Sequence, residues 1–244
     1  FPVAPEQPLN YGFATLNNET FWDERYAVAP SLGSGPGSRG YCAWLKERVI
    51  GNIIRLNEIK SIIDIGCGDM YWLDPELLYG IDFIGIDISE IITIKNRLRF
   101  PMLTFLKRDI TKHNVSIIAS DLILCLDVLL HQCSKDSFLK ALHNILHSLT
   151  AHGLISYPAT EGVQTNILPV EPTPDIVEQQ EQFDKMDRTL GDRIPRGNVA
   201  CFGNLERWIY TLDPTVSVKR AFEYRGQTVF QITRTNNWLD LGLK

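Results

Sequence analysis

The sequence predicts an α/β fold: a doubly wound, mostly parallel seven-stranded sheet that ends in an antiparallel hairpin, with helices on both faces. Three observations predict it. Short β-branched runs alternate with segments of helical spacing. Those runs are apolar throughout, as strands covered on both faces are. The last two runs are separated only by Arg225-Gly226, a hairpin signal.

The elements follow in order. Residues 1–40 are aromatic and turn-rich, close with Ser31-Leu-Gly-Ser-Gly-Pro-Gly-Ser-Arg39-Gly40, and are read as an N-terminal lid or extension, with a solvated linker as the alternative for the glycine run. A helix is expected at 41–54 and strands at 61–65, 83–87, 103–106, 122–126 and 153–157. The clearest helix is 134–149, where Ser134 caps a stripe of Phe138, Leu142, Ile145 and Leu149. Residues 159–202 contain Pro169, Pro172, Pro174 and Pro195 and exceed ordinary loop length. They are expected to form an insertion with its own short helices, covering a ligand site at the carboxyl edge of the sheet. Strands at 216–224 and 227–233 complete a domain that spans 41–244.

Composition narrows the function classes. A net charge of −5 without a long basic run argues against nucleic acid or an anionic membrane as the main partner. The apolar run from Leu122 to Leu130 is interrupted by Asp127 and is far too short to span a bilayer. Five scattered cysteines without a CxxC pair suit buried thiols in a reducing, cytoplasmic setting, with no zinc site. The first nine residues carry three prolines and no basic segment, unlike a signal peptide.

The chemistry is concentrated after the first strand. Asp64-Ile65-Gly66-Cys67-Gly68 puts an acid at the strand's end and two glycines in the turn, so that backbone amides can lie flush against a ligand. The next strand ends at Asp87, whose carboxylate can accept both hydroxyls of a ribose. A dinucleotide fingerprint requires a glycine where this chain has Tyr71. An acid ahead of the turn also repels phosphate and favours a cationic amino-acid end. The pattern therefore favours S-adenosylmethionine over NAD.

Residues 64–157 resemble the class I, Rossmann-like S-adenosylmethionine-dependent methyltransferases, whose first motif is an acid followed by GxGxG. The resemblance implies that Asp64, Gly66, Cys67 and Gly68 line the methionine part of the cofactor and that Asp87, with Ile88 beside it, holds the ribose. Leu106-Lys-Arg-Asp109-Ile110 is similar to the third motif, so Asp109 is assigned to the adenine amino group and Ile110 to the ring face. The chain departs from the pattern at Met70, which replaces the last glycine and predicts a wider turn there.

The segment from Asp121 to His131 resembles the fourth strand and following turn of the same family, which runs beside the transferring methyl group. Asp127 interrupts an apolar run and needs a partner or a polar ligand, either as a turn cap or as a site residue. His131 is the candidate general base, with a hydrogen-bonded core histidine as the alternative. His113, His143, His147 and His152 have weaker claims. Arg39 is a candidate partner for the cofactor carboxylate, with Trp22, Arg25 and Tyr26 in the same lid. Tyr157, Glu161, Phe183, Arg193, Arg196 and Trp208 are candidates for the acceptor pocket, with a surface or packing role as the alternative for each.

The expected function is methyl transfer from S-adenosylmethionine to an oxygen or nitrogen of a small-molecule or glycan acceptor, releasing S-adenosylhomocysteine. A cofactor-binding module without transfer chemistry is the alternative, and the sequence leaves the oligomeric state open.

Overall fold

A computed structural model describes residues 17–113, 119–159, 172–191, 199–235 and 237–243. Seven strands form one sheet: β1 (Ser61–Ile65), β2 (Asp82–Asp87), β3 (Thr104–Lys107), β4 (Leu122–Cys125), β5 (His152–Pro158), β6 (Ser217–Tyr224) and β7 (Gln227–Thr233). Their spatial order is β3-β2-β1-β4-β5-β7-β6. The first five are parallel, and β7 enters antiparallel between β5 and β6. This is the doubly wound, mostly parallel sheet with a terminal hairpin that the alternation of periods predicts.

Period-two alternation divides the core. Ile62, Leu122 and Leu124 face the side covered by α2 (Gly40–Leu56), whose Cys42, Leu45, Val49 and Ile53 pack there. Ile63, Ile65, Ile123 and Cys125 face α4 (Lys135–Ser148) and α6 (Leu205–Leu212) on the other side. Asp64 shares its parity with Ile62, so its side chain is delivered to the α2 side. In α4, Ser134 Oγ accepts from Ser137 N at 3.1 Å and completes the expected cap.

Three further helices bear on the site. α1 (Asn18–Val28), capped by Asn17, lies across α3 (Glu90–Arg99). Ser89 Oγ donates to Asp23 Oδ1 at 2.5 Å and Lys95 Nζ to Tyr26 O at 2.7 Å, which fixes α1 over the carboxyl edge of β2. Within the expected insertion, the described residues include one long helix, α5 (Pro174–Gly191), where short helices were expected. Pro174 opens it, where a missing N–H costs nothing. α5 packs against α2. No helix among the described residues is long and apolar enough to cross a membrane.

Candidate active site

The sheet reverses its order between β1 and β4, and a cavity opens at the carboxyl ends of the strands on either side of that point. Ten of the eleven site residues expected from sequence line it together. Asp64, Gly66, Cys67 and Gly68 come from the turn after β1, and Asp87 and Ile88 from the end of β2. Asp109 and Ile110 follow β3, while Asp127 and His131 follow β4.

The glycine turn needs its glycines. A Cβ on Gly66 (φ 73°) would stand 2.2 Å from Val128 Cγ2, and one on Gly68 (φ 58°) 2.1 Å from Ser34 Oγ. Met70 takes φ 54°, so the turn keeps a left-handed residue where a glycine was expected. The replacement loads strain onto a buried methionine instead of opening the turn as the sequence suggested.

Two buried oxygens at the cavity, Asp64 Oδ2 and Gln132 Oε1, have no hydrogen-bond partner among the described residues, and Asp64 is the carboxylate of the two. Burial raises its pKa to about 7, with Lys46 opposing the shift and Asp87 adding to it. Asp87 is better supported: Oδ2 accepts from Gly68 N and Oδ1 from Ser89 N, both at 2.9 Å. Burial still raises its pKa to about 6. Asp109 is occupied by its own turn, accepting from Thr111 N at 2.9 Å and Thr111 Oγ1 at 2.7 Å. Burial acts to raise its pKa, but the hydrogen bonds from Thr111 and Lys112 outweigh it and hold the group below the usual range.

Asp127 is the hub of a polar network. Its backbone sits at φ 60°, a strained conformation for a non-glycine residue. Its Oδ2 ion-pairs with Lys46 Nζ, and its Oδ1 accepts from Tyr224 Oη at 3.0 Å and from Gln227 Nε2. Its backbone N–H donates to Ser156 Oγ at 2.7 Å, and Ser156 Oγ donates in turn to Gln227 Oε1 at 3.0 Å. Lys46, Tyr224 and Gln227 escaped the sequence reading. Lys46 alone left a signal there, as a charge within the buried spacing Cys42, Val49, Ile50, Ile53 of α2.

The N-terminal segment roofs this cavity. Asn18, Trp22 and Tyr26 of α1 line it, as do Ser34 and Ser38. Trp22 stacks near Tyr26 at 5.8 Å and meets the His131 ring edge-on at 5.3 Å. Arg39 differs from the expectation. It does not line the cavity; its guanidinium pairs with Asp69, one residue beyond the glycine turn, and lies 4.1 Å from the Tyr71 ring centroid. Ser34 Oγ also donates to Asp69 Oδ1 at 3.0 Å, so Asp69 fastens the glycine-rich segment to the turn.

A second cleft adjoins the first and shares Trp22, Ser34, Asp127 and His131 with it. Tyr157, Phe183 and Trp208 lie elsewhere. Tyr157 is in the core, with its Oη accepting from Phe202 N at 2.5 Å. Phe183 packs on Ala29 and Leu32, and Trp208 Nε1 donates to Phe202 O at 2.8 Å. Glu161, Arg193 and Arg196 are outside the described residues.

The fold and the cavity at its switch point define a doubly wound α/β architecture, and solved structures share the fold. The methyltransferase domain of bacterial CtHen1-C matches with a TM-score of 0.50 and 12% identity, covering 78% of this chain and 98% of that one. A Rhodobacter sphaeroides structure provisionally assigned to Zn-dependent alcohol dehydrogenases matches with a TM-score of 0.56 and 11% identity, covering 90% and 100%. Magnesium protoporphyrin IX methyltransferase from Synechocystis matches with a TM-score of 0.49 and 16% identity, covering 78% and 81%. No family model and no curated protein sequence matches the chain. At these identities the likeness is one of fold.

Proposed function

We propose that the chain is an S-adenosylmethionine-dependent methyltransferase acting on an oxygen or nitrogen of a small-molecule or glycan acceptor, with residues 41–244 as its catalytic domain and the preceding segment as its lid. The observation that carries this reading is Asp64 Oδ2, a buried carboxylate oxygen without a partner among the described residues, at the rim of a glycine turn. Such an atom calls for a donor, and a cationic ammonium is the donor that best offsets the cost of burying it. Asp64, Asp87 and Asp127 surround the cavity, and the Lys46 ammonium is already paired to Asp127. That charge pattern suits a cofactor with an ammonium and a sulfonium and repels a pyrophosphate.

The residues fit that cofactor. Asp64 and the backbone of Gly66 to Gly68 would hold its amino-acid end. Asp87, whose oxygens each keep a second lone pair, would take the ribose hydroxyls. Ile88 and Ile110 offer apolar faces to an adenine, with Asp109 at its edge. The bound cofactor supplies an electrophilic methyl group. The protein orients the acceptor toward it, excludes water beneath α1, and receives the acceptor's proton at His131, with Asp127 fixing the position of the acceptor.

Calorimetric titration with S-adenosylhomocysteine, with NAD in parallel, tests the reading. Micromolar binding of the first alone, lost in Asp87→Ala, supports it. Absence of binding, or preference for NAD, would overturn it.

A further inference from the structure

We propose that the second cleft is the acceptor site, that its chemistry selects a neutral hydroxyl-bearing ring of the kind found in glycans, and that it is completed only after the cofactor is bound. This rests on the methyltransferase reading above.

The cleft is built by the lid. One wall consists of Phe21, Trp22 and Arg25 from α1 together with the Ser34-Gly35-Pro36-Gly37 segment. The opposite wall comes from Leu130, Pro158 and the β6–β7 turn, where Arg225 and Gln227 stand. Gly37 lies so close to the base of the cleft that a Cβ there would be 2.8 Å from Asp127 Oδ2. The reverse side of the same segment roofs the cofactor cavity through Trp22, Tyr26 and Ser34. A cofactor of nucleoside size that enters beneath this roof displaces α1 and residues 34–38. Once they move away, the acceptor cleft loses one wall. Binding is therefore ordered, with the cofactor first.

The charges describe the ligand. Among the described residues, each cation at the cleft already has a carboxylate. Arg25 pairs with Asp187 at 3.5 Å and donates from Nε to Gly33 O at 2.8 Å. Arg225 pairs with both oxygens of Asp184, at 3.1 and 3.2 Å. Asp127 is paired with Lys46. Among the described residues, no unpaired lysine or arginine waits at the cleft for a phosphate or carboxylate. What remains is an aromatic wall opposite fixed, paired polar groups, which suits a ring with an apolar face and several hydroxyls.

The test uses the full chain. Calorimetry with S-adenosylhomocysteine comes first and checks the cofactor reading independently. Saturation-transfer NMR then examines a panel of neutral methyl glycosides and the corresponding sugar phosphates, with and without S-adenosylhomocysteine. Neutral glycosides are expected to receive saturation only when S-adenosylhomocysteine is present, and more strongly than their phosphates. Arg225→Ala, at a residue that lines the second cleft and not the first, should reduce that signal at least fivefold while leaving S-adenosylhomocysteine affinity within twofold. Equal saturation without S-adenosylhomocysteine would overturn the order of binding. Stronger signals from sugar phosphates, or none from any neutral glycoside beside a protein that binds S-adenosylhomocysteine, would overturn the ligand class. A protein that fails to bind S-adenosylhomocysteine at all would overturn the cofactor reading itself.

Discussion

The ammonium of Lys46 and the carboxylate of Asp127 form an ion pair that joins α2 to the turn after β4, with side chains only 2% and 17% exposed. Two elements of the sheet's carboxyl edge are thereby held together at the boundary between the two cavities. Removing one partner leaves the other charge buried and uncompensated, which costs more than the pair itself contributes.

Lys46→Met should therefore destabilise the fold by about 3 kcal/mol, read as a fall in the urea midpoint at neutral pH. Adding Asp127→Asn should return most of that loss, because asparagine carries no charge and still accepts from Tyr224. If the double variant is no more stable than the single one, the ion pair is not what Lys46 contributes.

Asp64 makes stability and binding depend on pH in opposite senses. Burial raises its folded pKa to about 7, against 3.8 for an ordinary aspartate, so the folded state holds the proton more tightly than the unfolded chain. Its stabilising contribution is fully present below about 3.8 and is lost as the pH rises through about 7. Asp64→Asn should accordingly gain stability over the parent between those values, with a constant gain at higher pH. Cofactor binding needs the ionised form. Affinity of the parent for S-adenosylhomocysteine should rise by roughly tenfold or more between pH 5 and 8, the scale of a hydrogen bond to a charged group. The variant should bind weakly and lose the part of the pH dependence centred near 7, keeping only the step near 6 that belongs to Asp87. A parent whose affinity ignores pH over this window contradicts the assignment of the ammonium to Asp64.

How much of this was legible in the sequence follows from the range of the interactions. Strands and their order of succession show because each is a continuous apolar run, and the glycine turn shows because close approach restricts Gly66 and Gly68 locally. The network around Asp127 does not. Tyr224 and Gln227 reach it only because β7 enters between β5 and β6, a pairing that no local pattern announces. Lys46 was detectable as an interruption of a buried stripe, but its partner lies 81 residues away. Arg39 was misdirected for a similar reason, since the acid it meets belongs to the glycine turn and not to a ligand. For Tyr157, Phe183 and Trp208 the sequence leaves pocket and packing roles open, because an aromatic side chain looks the same there whether it lines a cleft or fills a core.

The Arg39–Asp69 pair yields a coupling prediction. Both residues hold the segment from Gly33 to Gly40 against the glycine turn, and Asp69 also accepts from Ser34. Arg39→Ala and Asp69→Asn should each speed dissociation of S-adenosylhomocysteine by about tenfold. Residues that act through one contact are not additive, so the double variant should dissociate no faster than the worse single variant. Stopped-flow displacement measures all three rates. Fully additive effects would place Arg39 and Asp69 in separate roles.

His131 lies at the junction of the two cavities with its ring edge against Trp22, and this position admits two roles, proton acceptor and packing partner. Substitution by alanine alone would not separate them, because both roles end together. Phenylalanine keeps the ring and removes the nitrogen atoms. If His131 receives the acceptor's proton, His131→Ala and His131→Phe should both lose turnover by about a hundredfold or more, with S-adenosylhomocysteine affinity unchanged. If the ring only supports Trp22, His131→Phe should retain parental turnover while His131→Ala loses cofactor affinity along with it. The comparison of these two variants at several pH values therefore decides whether proton transfer belongs to this residue or whether positioning beneath the lid suffices for the chemistry.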